Sequence, residues 1–308
     1  MKKFRRYLES KMLSKMTQYG ILKRVEKFFN WIEVEDVQVT KPDVLKYLEH
    51  LKNRGLQNVS RKHHLTALSH YFTYLYINDT ITESPCWFLK IQGTNKKKLY
   101  KIYTPEELDQ LFDNYYQFFV RGYDDSRQRH SRQKERSALT RERNAVILSI
   151  LINQGATTTE IERIELGDVD LMKATIKISG GRKHNDRTLP LKAYQIGLFM
   201  NYLKEIRPQI VEHRTTENDK LFMAMPTGKK DGDLTFIFDR LTPKIKLIDK
   251  QFTNYMQIRA SVITHWLKTY GLRKAQYMAG HRNISTTEQF LPNNLENLTD
   301  DINKMHPF

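Results

Sequence analysis

One cysteine, Cys86, stands in 308 residues, so no internal disulfide can form and a zinc site built from cysteine pairs is excluded. Glycine and proline are scarce, at 13 and 9, which removes collagen-like and linker-type chains from consideration. No run comes near the roughly 20 consecutive apolar residues that a membrane helix needs. A glycine-rich nucleotide loop and a 20–50-residue repeat are also missing. The basic start Met1-Lys2-Lys3-Phe4-Arg5-Arg6 meets Tyr7, Glu9 and Lys11 instead of an apolar stretch. No secretory leader is expected, and the reducing cytoplasm is the expected location.

What is abundant is positive charge. The formal net charge is +16, and a surplus of 11 falls in residues 1–101. Such an excess calls for a polyanionic partner, either nucleic acid or an anionic membrane surface, and duplex DNA is the better fit. A basic surface that only aids solubility is the plainer alternative.

Apolar residues recur at helical spacing in Val25, Phe28, Phe29 and Ile32, in Val44, Leu45, Leu48 and Leu51, and in Leu65, Leu68, Phe72 and Leu75. They predict at least three amphipathic helices, the second opening at Pro42 and ending at Gly55. The third starts near Asn58 and carries Arg61, Lys62, His63 and His64 in its first turns, where a phosphate backbone is well served. Residues 1–92 are therefore expected to form a small helical domain whose basic face suits DNA. A linker over 93–103 follows, with Lys96, Lys97 and Lys98 placed to run along phosphates.

The second domain, 104–308, opens with Thr104-Pro105-Glu106-Glu107, an N-cap, a first-turn proline and a capping glutamate. The polar, arginine-rich stretch 120–143 reads as an exposed loop or extended helix end, and an apolar helix follows from about Arg141 to Asn153. Alternation around Ala174–Ile178, a Gly180-Gly181 turn and Arg187–Leu191 predict a short antiparallel hairpin with a cationic tip. Helical spacing returns at Tyr194–Glu205 and Arg259–Tyr270.

Three short motifs then fall in order: Arg259-Ala260-Ser261, Met278-Ala279-Gly280-His281, and Ser285-Thr286-Thr287-Glu288-Gln289-Phe290. Together they resemble the arginine box, the Leu-Gly-His turn and the nucleophile segment of the tyrosine recombinases, the phage-integrase family. The resemblance covers nearly the whole chain. It implies a mainly α fold with a small antiparallel hairpin or sheet (α+β), arranged as a two-domain C-shaped clamp on double-stranded DNA. It also implies site-specific recombination or integration without metal, nucleotide or other cofactor, and partner recombinase subunits on the DNA.

In that family a tyrosine hydroxyl attacks a backbone phosphorus, and guanidinium groups hold the charge growing on the phosphate oxygens. Residue by residue, the second arginine falls on Arg259 and the late histidine on His281. The first arginine position holds Thr157, which offers a neutral hydroxyl and no charged fork. The histidine three residues before Arg259 is Met256. Arg182 occupies the place of the leaving-group lysine, with Lys183 beside it and Arg187 expected as a further DNA contact. Phe290 stands where the tyrosine belongs and has no hydroxyl, so this position cannot form a covalent intermediate. Tyr255, Tyr270 and Tyr277 are expected to pack between helices, and Leu295, Leu298 and Ile302 suggest a tail helix that docks either in cis or on a neighbouring subunit.

Three functions fit these residues. The chain is a DNA-binding recombinase relative that does not cut; or an active recombinase trapped by a Tyr-to-Phe exchange; or an architectural or regulatory DNA-binding protein sharing the topology. A phosphate pocket kept at Arg259 and His281 favours the first two.

Overall fold

The computed structural model describes residues 2–32, 35–93, 100–122, 131–182, 184–216, 218–226 and 234–291. The chain divides into two compact units, Met1–Lys98 and Leu99–Phe308, a division that falls inside the basic 93–103 segment. Lys96, Lys97 and Lys98 and the tail beyond Leu291 lie outside the described residues.

The first unit holds helices α1 (Lys2–Ser10), α2 (Lys15–Phe29), α3 (Lys41–Asn53) and α4 (Asn58–Ile77). Their starts are written locally. The Ser14 hydroxyl accepts from Thr17 N at 3.2 Å ahead of α2, and Thr40 with Asp43 forms a capping box around Pro42 ahead of α3. The three apolar stripes meet in one core of Val25, Phe28, Val44, Leu48, Leu51, Leu68, Phe72 and Leu75. Each such side chain contributes about 1.5–3 kcal/mol by leaving water. Leu45 departs from expectation: it faces solvent, because the buried stripe of α3 runs through Val44, Tyr47, Leu48 and Leu51.

In the second unit, Thr104 and Glu107 exchange hydrogen bonds of 3.1 and 2.8 Å to open α5 (Pro105–Tyr115) as the sequence predicts. Of the two readings of residues 120–143, exposed loop or extended helix end, helix α6 (Ser131–Gln154) bears out the second over 131–143. Its polar half is helical and not all of it is exposed. Arg143 is buried and is satisfied there by Asn144 Oδ1 and the Met223 carbonyl, so its charge hides an inward position from a hydrophobicity count.

After the short α7 (Thr158–Ile161), strands β1 (Val169–Asp170), β2 (Thr175–Ile178) and β3 (Arg187–Pro190) form an antiparallel sheet in that order among the described residues. Register pairs Ile176 with Leu189 and Ile178 with Arg187. Alternation turns Leu189 inward, and with it Arg187, two residues earlier on the same face. Helices α8 (Ala193–Asn201), α9 (Arg207–Glu212), α10 (Thr235–Ile248), α11 (Tyr255–Ala279) and α12 (Ile284–Glu288) complete the unit. The first part of α11 is core, with Ile258, Val262 and Ile263 buried. At Gly271 (φ +74°) the helix breaks, next to the predicted end at Tyr270.

Candidate functional site

Helix α11 places Arg259 in its buried first turns, 2% exposed. The guanidinium donates to the carbonyls of Gly155 and Ala279, and Nη2 lies 3.2 Å from Nε2 of His281. The loop after α11 makes this possible. Gly280 adopts the left-handed conformation (φ +70°, ψ 20°) that ends the helix, and the next residue, His281, is thereby turned back onto Arg259. Nδ1 of His281 meets the Thr287 hydroxyl of α12 at 2.9 Å, which fixes the ring from its other side. Burial, then the charge of Arg259, pushes His281 down to about 3, so the imidazole is neutral at physiological pH.

Phe290 stacks on that imidazole, with ring centroids 5.8 Å apart and planes 11° from parallel. It also lines a small cavity of about 60 Å³ with Thr264, Leu267, Lys268 and Leu291. The structure thus brings Arg259, His281 and Phe290 into one place. Thr157, two residues after the Gly155 whose carbonyl Arg259 contacts, is engaged otherwise. Its hydroxyl caps α7 by accepting from Glu160 N at 3.2 Å, and its own N–H donates to Glu160 Oε2 at 2.8 Å.

Met256 is 44% exposed at the start of α11, and Arg182 is exposed at the hairpin tip. Lys183 lies outside the described residues. Of the tyrosines read as packing residues, Tyr255 donates to the Phe238 carbonyl at 3.0 Å. Tyr270 and Tyr277 are 46% and 57% exposed, a correction whose cause is that the inward positions of this last stretch are Ala275 and Ala279. In the first unit Lys62 and His63 are exposed, as a phosphate contact requires. Arg61 is half-buried and donates to Asn58 Oδ1 at 2.6 Å. His64 turns into the core against the Tyr47 hydroxyl at 3.0 Å, and burial pushes it down to about 4, which removes it from the phosphate-facing set.

Glu160 joins these parts. It is fully buried, and Arg187 grips its carboxylate with a two-pronged contact of 2.7 and 3.1 Å. His184 Nδ1 lies 3.1 Å from Oε1, and Arg259 Nη1 is 3.5 Å from Oε2. Burial alone would raise this carboxyl; the hydrogen bonds of His184 and Arg187 and the charges of Arg187 and Arg259 outweigh it and hold the group ionised, far below the usual carboxylate range. Arg187, expected as an outer DNA contact, is therefore an inner member of the site. Its Nε is buried and has no hydrogen-bond partner among the described residues. The signal was present in the two-residue period that pairs it with Leu189. Glu160 carried no such signal for burial, because a glutamate in the first turn of a helix more often faces water.

Hairpin and loop are fastened together. His184 bridges to His281 as an isolated antiparallel pair, and Asn185 N donates to the Gly280 carbonyl at 2.7 Å. A Cβ at position 280 would stand 2.7 Å from Arg187 Nη1 and 2.9 Å from the Asn185 carbonyl. Gly280→Ala is accordingly expected to destabilise the fold by more than about 1 kcal/mol, from left-handed backbone strain together with displacement of Arg187. Denaturant titration checks this, and an unchanged midpoint would contradict it.

The second unit is mainly helical with one small sheet among the described residues, and it gathers two arginines, two histidines and a glutamate beside the ring of Phe290. Residues 130–296 match the phage integrase family and residues 1–82 match its N-terminal SAM-like domain. The chain belongs to the phage integrase family. It is similar to tyrosine recombinase XerC of Listeria innocua, 24% identical over 275 residues that span 89% of this chain and 84% of that protein. Tyrosine recombinase XerC of Chlorobaculum parvum is 25% identical over 280 residues, spanning 89% and 81%. Among solved structures, the XerH site-specific recombinase bound to palindromic difH substrate in a post-cleavage complex superposes with a TM-score of 0.67 at 19% identity, covering 92% of this chain and 77% of that one. A lambda integrase dimer bound to a COC' core site gives 0.64 at 12% identity, covering 94% and 93%. These likenesses establish the fold. No helix among the described residues is long and apolar enough to cross a membrane, and among the same residues no cluster of His, Cys, Asp and Glu could hold a metal ion.

Proposed function

We propose that this chain binds duplex DNA in the manner of a site-specific recombinase, seats one backbone phosphate against Arg259 and His281, and does not cut the strand from position 290. The observation that carries the reading is the 3.2 Å approach of Arg259 to His281 with Phe290 stacked on the far partner. An arginine–imidazole pair supplies charge and a hydrogen bond to a phosphate oxygen, while a phenyl ring supplies no attacking atom. Residues 1–92, with Lys62 and His63, serve as the DNA-gripping domain; residues 93–103 lie along the backbone; residues 104–308 hold the pocket. Other recombinase subunits are the protein partners, and the cytoplasm is where the protein acts.

A second reading has its own support. The ring of Phe290 lies against His281, and this supports taking position 290 as the nucleophile's place and the chain as an active recombinase after a Tyr-to-Phe exchange.

The DNA-binding part is tested by salt. With about six phosphate contacts, affinity for a duplex is expected to fall on the order of 10³-fold or more between roughly 50 and 200 mM monovalent salt. Fluorescence anisotropy with a labelled duplex reads this directly, and a flat response would leave the +16 charge without its partner.

A further inference from the structure

Position 157 brings no cation to the pocket, yet the pocket is not poor in cations. Two guanidiniums, those of Arg187 and Arg259, share the single carboxylate of Glu160. They share it unequally. Arg187 takes both oxygens at 2.7 and 3.1 Å, while Arg259 stands off at 3.5 Å and spends its hydrogen bonds on backbone carbonyls and His281. A carbonyl accepts a hydrogen bond without cancelling a charge. Arg187 thus neutralises Glu160, and the charge of Arg259 is left over beside His281.

We infer that Arg187 is a positioning residue that sets the charge of the phosphate pocket. By cancelling Glu160 from strand β3, it keeps Arg259 available and leaves the pair of guanidiniums and the carboxylate one positive charge in excess, the complement of a singly charged backbone phosphodiester. The inference rests on the phosphate-pocket reading above. Without Arg187 the carboxylate keeps the His184 ring at 3.1 Å, and the nearest guanidinium is that of Arg259; a buried carboxylate takes a full cation more readily than it stays unpaired. Closing 3.5 Å to a full ion pair would consume the charge that a phosphate needs. The packing supports a dedicated place for Arg187: Gly280 leaves room for Nη1, which a Cβ there would approach to 2.7 Å.

The test uses the full chain and a random-sequence 30-bp duplex, with affinity measured at several salt concentrations. Each phosphate interaction contributes about 0.9 to the slope of log affinity against log salt. Arg187→Gln is expected to lower the slope by about 0.9, as Arg259→Gln does, because either change leaves the pocket without net charge. Glu160→Gln alone is expected to steepen it, and Glu160→Gln with Arg187→Gln to bring it back to the starting value. A merely structural Arg187 would not produce the steepening, since Glu160→Gln also breaks the ion pair and weakens the fold. Should Arg187→Gln fail to fold, Glu160→Gln against the double variant carries the same one-charge comparison with no buried carboxylate in either. An unchanged slope in Arg187→Gln, or no difference between Glu160→Gln and the double variant, overturns the inference while leaving the pocket in place if Arg259→Gln still lowers the slope. A slope indifferent to Arg259→Gln overturns the pocket itself.

Discussion

Incubated with a nicked duplex carrying its site, the chain should form no covalent protein–DNA band at any time or protein concentration, on a denaturing gel that would show one. The reason is chemical. The ring stacked on His281 ends in a carbon–hydrogen bond, and no attacking oxygen exists at position 290. Restoring the oxygen with Phe290→Tyr is expected to leave the band at background. On the proposed reading, Thr157 stands at the first arginine position and Met256 at the histidine position before Arg259, so two further groups that stabilise the transferring phosphate would be missing. Each missing donor costs about 10²–10³ in rate. A strong band from Phe290→Tyr would instead identify the chain as a recombinase disabled at one position, and a band from the chain as it stands would overturn the assignment of position 290.

Glu160→Ala should be among the most destabilising single substitutions in the second unit, at about 3–5 kcal/mol, since it leaves two buried guanidiniums facing each other with no carboxylate between them. Equilibrium denaturation measures the loss. Combining Glu160→Ala with Arg187→Leu should recover much of it, because the second change removes the charge that the first strands, and contacting residues couple in such cycles. Additive losses would show that the two side chains do not depend on one another.

The fold was largely legible because its signals are local. Pro42 and Thr104 announce helix starts, Gly55 announces a helix end, and the stripes of α2, α3 and α4 read directly as the faces that meet. The arginine-rich half of α6 was not legible: a buried Arg143 looks like any surface arginine until the Met223 carbonyl, 80 residues away, is brought to it. The candidate site divides in the same way. Arg259, His281 and Phe290 could be placed by motif order. The partnership of Glu160 with Arg187 spans 27 residues and two kinds of element, and it appears only when the sheet packs against the short helix that Thr157 caps.

The fastening of hairpin to loop, through His184 to His281 and Asn185 to Gly280, has a mechanical corollary. The two pieces are tied, so if DNA meets the exposed Arg182 tip, as proposed, the pull is passed to the loop that carries His281. Amide exchange of Asn185, whose N–H is bonded across to the Gly280 carbonyl, should then slow when DNA is added, as a direct reading of that lever.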